Sequence, residues 1–357
     1  MILRSSITCI RRMSKTVLLT GAAGFIGSNL LSYLFRKYPD YHFLVLDSLT
    51  YAANQKNILD EIRQSGRFEF WYGDITNPYI VNELMSRANL VVHLAAETHV
   101  ARSIFDNTKF FHTDVIGTQT LVNALMKNSS VERFIHISTS EVYGTSVDDS
   151  LEMDEDHPLN PMSPYAGAKA GADRLVYSYW SHVDLPMMIL RPFNNYGPRQ
   201  HLEKMVPRFV TSALKDEPLT VHGDGQAGRD WLFVDDHCEA IDRALHVEDF
   251  SRIKNHVINI GTGMATSVQD VARTLLRMLE KPDTLQMHIG DRPGQVRRHC
   301  SSTSKAKELL GWEARTTLED GLAKTIAWYR ENEPWWREQT WMKQVPIRMA
   351  SGKIEMH

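Results

Sequence analysis

The feature that most constrains the fold is the alternation of near-continuous apolar runs with helix-period segments. Val17-Leu18-Leu19 precedes a helical stretch from Gly24 to Arg36, and Phe43-Leu44-Val45-Leu46 follows it. Further apolar runs stand at Phe68 to Tyr72, Leu90-Val91-Val92-His93-Leu94, Phe134-Ile135-His136-Ile137 and Met187-Met188-Ile189-Leu190, with helical segments between them. Strands that are apolar at successive positions are buried on both faces, which requires a parallel sheet covered by helices on either side. The expected class is therefore α/β, a Rossmann-type doubly wound parallel sheet with ligands at the carboxyl ends of its strands. After Arg191 the texture changes to Gly-, Pro- and Arg-rich loops between short helices, as far as about Tyr329. That stretch reads as a smaller, interleaved C-terminal part, because Trp231–Asp236 and Val257–Ile260 look like strands rejoining the sheet.

Composition narrows the class. A chain of 357 residues allows about two domains, and 43% hydrophobic with 23% charged residues is a globular balance. The net charge of −3 and the lack of a basic stripe argue against a nucleic-acid partner. An anionic ligand must then be caught by a few placed arginines. Cys9, Cys238 and Cys300 have no metal-like spacing and too few partners to staple a chain of this length, so a reducing compartment, the cytoplasm, is expected. No apolar run is long enough to cross a bilayer, so no membrane association is expected. Met1 to Arg12 is acid-free and carries Arg4, Arg11 and Arg12, faintly like a transit peptide. Met13-Ser14-Lys15 directly precedes the first strand and reads as a natural start, which favours an alternative-start extension over residues 1–13.

Thr20-Gly21-Ala22-Ala23-Gly24-Phe25-Ile26-Gly27 joins the first strand to the first helix. Glycines at such a junction let the backbone approach a pyrophosphate, whose charge sits on the helix N-terminus. By itself the pattern is also that of a tight strand-to-helix turn. Asp47, twenty residues beyond Gly27 at the end of the second strand, adds the carboxylate that accepts hydrogen bonds from an adenosine ribose and repels a 2′-phosphate. The expectation is a NAD site rather than a NADP site, with Asp74 and Ile75 flanking the adenine.

Tyr165-Ala166-Gly167-Ala168-Lys169 follows Pro164, a residue suited to the first turn of a helix. Positions four apart share a helix face, so phenol and ammonium point at one ligand. A cation about 4–5 Å from the phenol at an effective dielectric of about 20 is worth roughly 3–4 kcal/mol before desolvation, enough to bring a tyrosine toward neutrality as a base. Thr139, after the Phe134–Ile137 run, completes a hydride-transfer centre. Beside it stand Ser140 and Glu141, and the carboxylate implies chemistry that a plain dehydrogenase does not need.

With these motifs the chain resembles an extended short-chain dehydrogenase/reductase of nucleotide sugars, and among these the dTDP-glucose 4,6-dehydratases. The resemblance runs from about residue 15 to 330. It rests on Asp47-Ser48-Leu49-Thr50-Tyr51-Ala52-Ala53-Asn54, Ala95-Ala96-Glu97-Thr98-His99-Val100, Glu141-Val142-Tyr143-Gly144, Asn194-Asn195-Tyr196-Gly197-Pro198, Glu203-Lys204-Met205-Val206-Pro207, Arg229-Asp230-Trp231 and Asp291-Arg292-Pro293-Gly294. It implies a NAD-binding Rossmann domain over 14–192, a substrate-binding part over 193–330 and a tail over 331–357. It places Gly21, Gly24, Phe25, Ile26, Gly27, Asp47, Ser48, Thr50, Asp74, Ile75, Ala95, Ala96, Thr113, Tyr165, Lys169 and Asn194 at the cofactor, and Thr98, Thr139, Asn195, Lys204, Arg229 and Arg292 at a nucleotide-diphosphate sugar.

The implied reaction has Tyr165 deprotonate the sugar 4-hydroxyl while hydride leaves C4, with Lys169 on the nicotinamide ribose and Thr139 on the C4 oxygen. Glu141 then removes the C5 proton, water leaves C6 and hydride returns there. The resemblance also implies a homodimer paired through the helices that follow Thr108 and Tyr165.

Two positions depart from the family pattern. Ser140 stands where the glucose dehydratases carry an aspartate, and a hydroxyl is a far weaker acid than a carboxylic acid of pKa about 3.9. The same Thr-Ser-Glu order occurs in GDP-mannose dehydratases, in relatives acting on UDP-N-acetylhexosamines and in UDP-glucuronate decarboxylases, so the sugar stays open. Ala101 also replaces an aspartate, with no physical account from the sequence. Dehydration is the favoured reading. A UDP-glucuronate decarboxylase, a nucleotide-sugar 4-epimerase and a non-catalytic NAD-binding regulator remain as alternatives, and the Trp335-Trp336 end has no derivable role. Lone histidines such as His201 and His299 are more often structural and are left unassigned.

Overall fold

A computed structural model describes residues 14–146, 148, 151–290, 296–348 and 352–356. The 1–13 extension and Asp291-Arg292-Pro293-Gly294, with the expected substrate residue Arg292, lie outside the described residues.

The first twelve strands in chain order are β1 (Thr16–Thr20), β2 (His42–Asp47), β3 (Phe68–Tyr72), β4 (Leu90–His93), β5 (Arg133–Ile137), β6 (Met187–Pro192), β7 (Asn194–Tyr196), β8 (Leu219–His222), β9 (Gly228–Phe233), β10 (Val257–Ile260), β11 (Ala265–Ser267) and β12 (Gln286–Ile289). Seven of them form one sheet in the order β10-β6-β5-β4-β1-β2-β3, every pairing parallel. Strand order reverses between β1 and β4, and this switch point opens a crevice at their carboxyl ends.

The apolar runs of the sequence are explained by the two faces of this sheet. Leu18, Leu44, Leu46, Val91, Phe134, Met187 and Ile189 pack on one side with Val81, Leu84, Leu121 and Val176. Val17, Leu19, Phe43, Val45, Val92, Ile135 and Leu190 pack on the other with Leu30, Leu31, Leu34 and Ile241. Successive strand residues point to opposite faces, so a strand covered on both must be apolar throughout. Removing one such side chain, as in Leu19→Ala, is expected to cost about 2–5 kcal/mol.

The expectation that Trp231–Asp236 rejoins the central sheet is corrected. β9 ends at Phe233 and runs between β7 and β11 in a separate three-stranded sheet, and a helix begins at Val234. The Asp230 carboxylate fixes it there, accepting from Thr262 N at 2.8 Å, Gly263 N at 3.0 Å and Ser301 N at 3.1 Å. Val257–Ile260 does join the large sheet, beside β6.

A further apolar cluster gathers Tyr196, Phe209, Leu219, Phe233, Leu275 and Tyr329, together with Trp335 and Trp336. Trp335 also donates its indole N–H to Asn57 Oδ1 at 2.9 Å, and Asn57 Nδ2 donates to Ala23 O at 2.8 Å. The helix Glu333–Arg337 is therefore tied to the turn after β2, and through Asn57 to the glycine loop after β1. Among the described residues, no helix is long and apolar enough to cross a membrane.

Candidate active site

The crevice at the switch point encloses a cavity of about 420 Å³. At its floor the chain leaves β1 through Gly21, whose φ is +74°, and a Cβ there would lie 2.7 Å from the Ala95 backbone. A Cβ on Gly27 would lie 2.5 Å from Gly21 O, so the helix Phe25–Lys37 starts tight against the turn. Gly24 caps that helix without a side chain, and no acidic residue stands in its first turn. The N-terminal amides and the positive end of the helix dipole are left open to an anion.

Asp47 Oδ2 accepts from Ala23 N at 2.9 Å and Oδ1 from Leu49 N at 2.8 Å, which aims the carboxylate across the loop. Burial pushes its pKa up, and the two backbone hydrogen bonds oppose that. Ser48, Thr50, Asp74, Ile75, Ala95, Ala96, Thr113 and Asn194 line the same cavity, along with Gly21, Gly24, Phe25, Ile26 and Gly27. All the residues expected at the cofactor thus line one cavity.

The helix Pro164–Trp180 is capped by Ser163, whose Oγ accepts from Ala166 N at 3.1 Å. Its first turns bring Tyr165 and Lys169 to the cavity. Lys169 Nζ donates to Ile137 O at 2.8 Å. One turn on, Asp173 is held by Arg191 in a two-bonded pair, Nε to Oδ2 at 2.9 Å and Nη2 to Oδ1 at 2.8 Å, and Arg191 Nη1 also donates to Tyr143 OH at 2.9 Å. This buried network locks the helix to β6.

Thr139 caps a short turn over Ser140–Tyr143, its Oγ1 accepting from Glu141 N at 3.3 Å. Thr139 and Thr98 both neighbour the Tyr165 hydroxyl and act to lower its pKa. Glu141 lines the cavity beside them, whereas Ser140 is 2% exposed and is not part of the cavity wall. Burial, with Asp114 and Glu141 nearby, raises the Tyr165 pKa in the unliganded chain. The cation effect anticipated from Lys169 is outweighed by these three.

Thr98, Asn195, Lys204 and Arg229 line the same cavity. Lys204 Nζ donates to Thr98 Oγ1 at 3.2 Å. Arg229 is buried on β9, with Nη1 donating to Gly228 O at 2.8 Å. Asn195 Oδ1 lies 3.0 Å from His237 Nδ1.

Three groups at the site escaped the sequence reading. Glu203 accepts from Tyr51 OH at 2.9 Å and Arg102 Nε at 2.7 Å, with His201 Nε2 3.0 Å away. Burial alone would raise its pKa, but the His201 contact and surrounding positive charge hold it well below the usual range. His99, at φ 157°, carries backbone strain next to Thr98 and is pushed down to about 3 by burial. Asp114 is buried in a π-helical turn, Phe111–Gly117, and burial pushes it up to about 7 against the pull of Lys169. Its signal was present, since it is the only acidic residue between Phe110 and Leu125.

The parallel sheet, its glycine turn and the Thr139, Tyr165 and Lys169 grouping define the short-chain dehydrogenase/reductase class. Within that class, the family described as GDP-mannose 4,6 dehydratase matches residues 18–325. The chain belongs to this family.

It is 40% identical over 326 residues to an Arabidopsis thaliana trifunctional UDP-glucose 4,6-dehydratase, 3,5-epimerase and 4-keto-L-rhamnose reductase, covering 90% of this chain and 48% of that protein. The chain thus spans about half the length of that relative. A Mycobacterium tuberculosis dTDP-glucose 4,6-dehydratase is 40% identical over 324 residues, covering 90% of this chain and 95% of its own. The solved dTDP-glucose 4,6-dehydratase of Streptomyces venezuelae, with NAD bound, superposes with a TM-score of 0.85 at 38% identity, covering 91% of this chain and all (100%) of that one.

Proposed function

We propose that the chain is a NAD-dependent nucleotide-sugar 4,6-dehydratase, a hydro-lyase. The observation that carries the reading is Glu141 on the cavity wall beside Thr139 and Tyr165. The open glycine turn, the uncapped helix N-terminus and the oriented Asp47 carboxylate fit NAD. When bound, NAD supplies a hydride acceptor that later returns the hydride to the sugar.

Tyr165 takes the proton of the C4 hydroxyl, and Thr139 polarises the same oxygen. The 4-ketone acidifies C5, whose proton passes to Glu141. Once neutral, Glu141 protonates the C6 hydroxyl on the same face, and water leaves; the proton that Tyr165 took from the C4 hydroxyl balances the one that C5 needs when hydride returns to C6. Ser140 takes no part, which agrees with its burial. Arg229 and Lys204 supply charge-assisted donors for a diphosphate, and Arg292 is assigned the same role from its sequence context.

Two copies pair through the helices that carry Phe111, Ile116 and Tyr177, which are 45%, 43% and 46% exposed despite being apolar. The thiols of Cys238 and Cys300 are free and buried, in keeping with a reducing cytoplasm.

Incubation with a panel of UDP-glucose, dTDP-glucose, GDP-mannose and UDP-glucuronate, followed by product mass, tests the reading. Loss of water supports it. Loss of carbon dioxide, or an epimer of unchanged mass, replaces it with the decarboxylase or epimerase reading, and tight NAD binding with no turnover replaces it with a regulator.

A further inference from the structure

Asp114 belongs to no role assigned so far, yet it sits behind the proton-transfer pair. The π-helical turn that carries it packs against the helix Pro164–Trp180, closely enough that a Cβ on Gly171 would lie 3.2 Å from Val115 Cγ2. Phe110, just before the turn, meets the Tyr165 ring edge-on at 6.2 Å. A π-helical turn re-aims side chains relative to a regular helix, and here it turns a carboxylate inward.

Asp114 is 1% exposed. Oδ1 accepts from Glu97 N at 2.8 Å, while Oδ2 is buried with no hydrogen-bond partner. An orphaned carboxylate oxygen in the interior is costly unless a charge or a proton compensates it.

The charged and titratable groups facing it are few. Lys169 and Tyr165 face it from the neighbouring helix, and Glu97 from the loop after β4. Lys169 has a second carboxylate nearby in Asp173, but both Asp173 oxygens are already taken by Arg191. His93 and His136 face Lys169 from the sheet and are held neutral by burial. Glu141 faces Tyr165 from the far side. Asp114 is therefore the carboxylate near Lys169 whose second oxygen is uncommitted.

We propose that Asp114 is a positioning residue that sets the protonation of the Tyr165–Lys169 pair. Where it is ionised, above about pH 7, its negative charge keeps the Lys169 ammonium protonated in the interior and holds the Tyr165 proton on. These two effects move the working range of the enzyme in a definite direction. A base that keeps its proton longer becomes active only at higher pH. Neutralising Asp114 lowers the Tyr165 pKa directly. It also lets Lys169 lose its proton sooner, which acts the other way, but Asp114 is the foremost charge acting on Tyr165, so the direct effect is expected to dominate.

The inference rests on the dehydratase reading for its activity readout and not for its titration. In Asp114→Asn the amide oxygen still accepts from Glu97 N–H, and Asp114→Ser gives a second neutral variant. The tyrosinate ultraviolet absorbance of each is titrated against the same protein carrying Tyr165→Phe, and the pH profile of turnover is recorded beside it. The expected result is a Tyr165 titration and an acid limb moved down by about one pH unit, about tenfold in rate at a pH on that limb. A slower enzyme with limb and titration unmoved would overturn the proposal and leave Asp114 a structural residue. A moved titration in a protein that turns over no sugar nucleotide upholds the role of Asp114 and removes the dehydratase reading instead.

Discussion

The Lys169 ammonium donates to the carbonyl oxygen of Ile137 at 2.8 Å, across 32 residues of sequence. That bond ties the helix bearing Tyr165 to the strand end that leads, two residues later, into Thr139. Lys169 is thus both the cation of the pair and the pin that sets the distance between its partners.

Replacing Lys169 removes both functions at once. Lys169→Met is expected to slow formation of bound reduced cofactor by roughly 10²–10⁴, the range for a displaced general base. Lys169→Arg is not expected to rescue it, because a planar fork does not reproduce a point donor at one carbonyl. Single-turnover absorbance of the reduced cofactor measures both, and a Lys169→Arg enzyme within a few-fold of the natural rate would contradict the argument.

Glu141 and Ser140 are neighbours with separable fates. Glu141→Gln is expected to retain the first half of the reaction, so that reduced cofactor accumulates, while water loss falls by about 10²–10⁴. Ser140→Ala, buried away from the cavity wall, is expected to keep most turnover. Rapid-mixing absorbance paired with product mass separates the two steps. If Ser140→Ala alone stopped elimination, the double duty of Glu141 would be wrong.

Acid stability follows from the buried histidines. Burial pushes His99 and His237 down to about 3, and holds His93 and His136 well below their ordinary value. The unfolded chain takes up these protons near pH 6.5, before the folded one does. Stability is therefore full above about 6.5 and declines as pH falls from there toward 3. The thermal midpoint is expected to be flat from pH 8 to about 7 and to drop steadily below 6.5. His237→Asn, which keeps a partner for Asn195, should make the slope shallower; an unchanged slope would show that His237 is not among the groups responsible.

The sheet was legible because its strands are apolar on both faces, a pattern that few other arrangements produce. Gly21, Gly24 and Gly27 were legible because the turn leaves no room for a side chain. β9 was misread because Trp231-Leu232-Phe233-Val234 is a short apolar run like those of the central strands, and only the distant partners of Asp230 decide where it lies. Glu203 escaped for a similar reason. Its three contacts come from Tyr51, Arg102 and His201, two of them more than a hundred residues away. Asp114 looked like one polar residue in a helix, and neither the π-helical turn nor the approach of Lys169 is written in local spacing.

The bond from Trp335 to Asn57, and from Asn57 to Ala23, has a consequence for how the protein is made. During synthesis the glycine turn emerges among the first segments, and its sheet neighbours up to β4 soon after. The turn nevertheless lacks its outer brace until more than three hundred residues have followed. A nascent chain can assemble the first strands of its sheet early, but the seat for its cofactor is finished only when the closing tryptophans arrive.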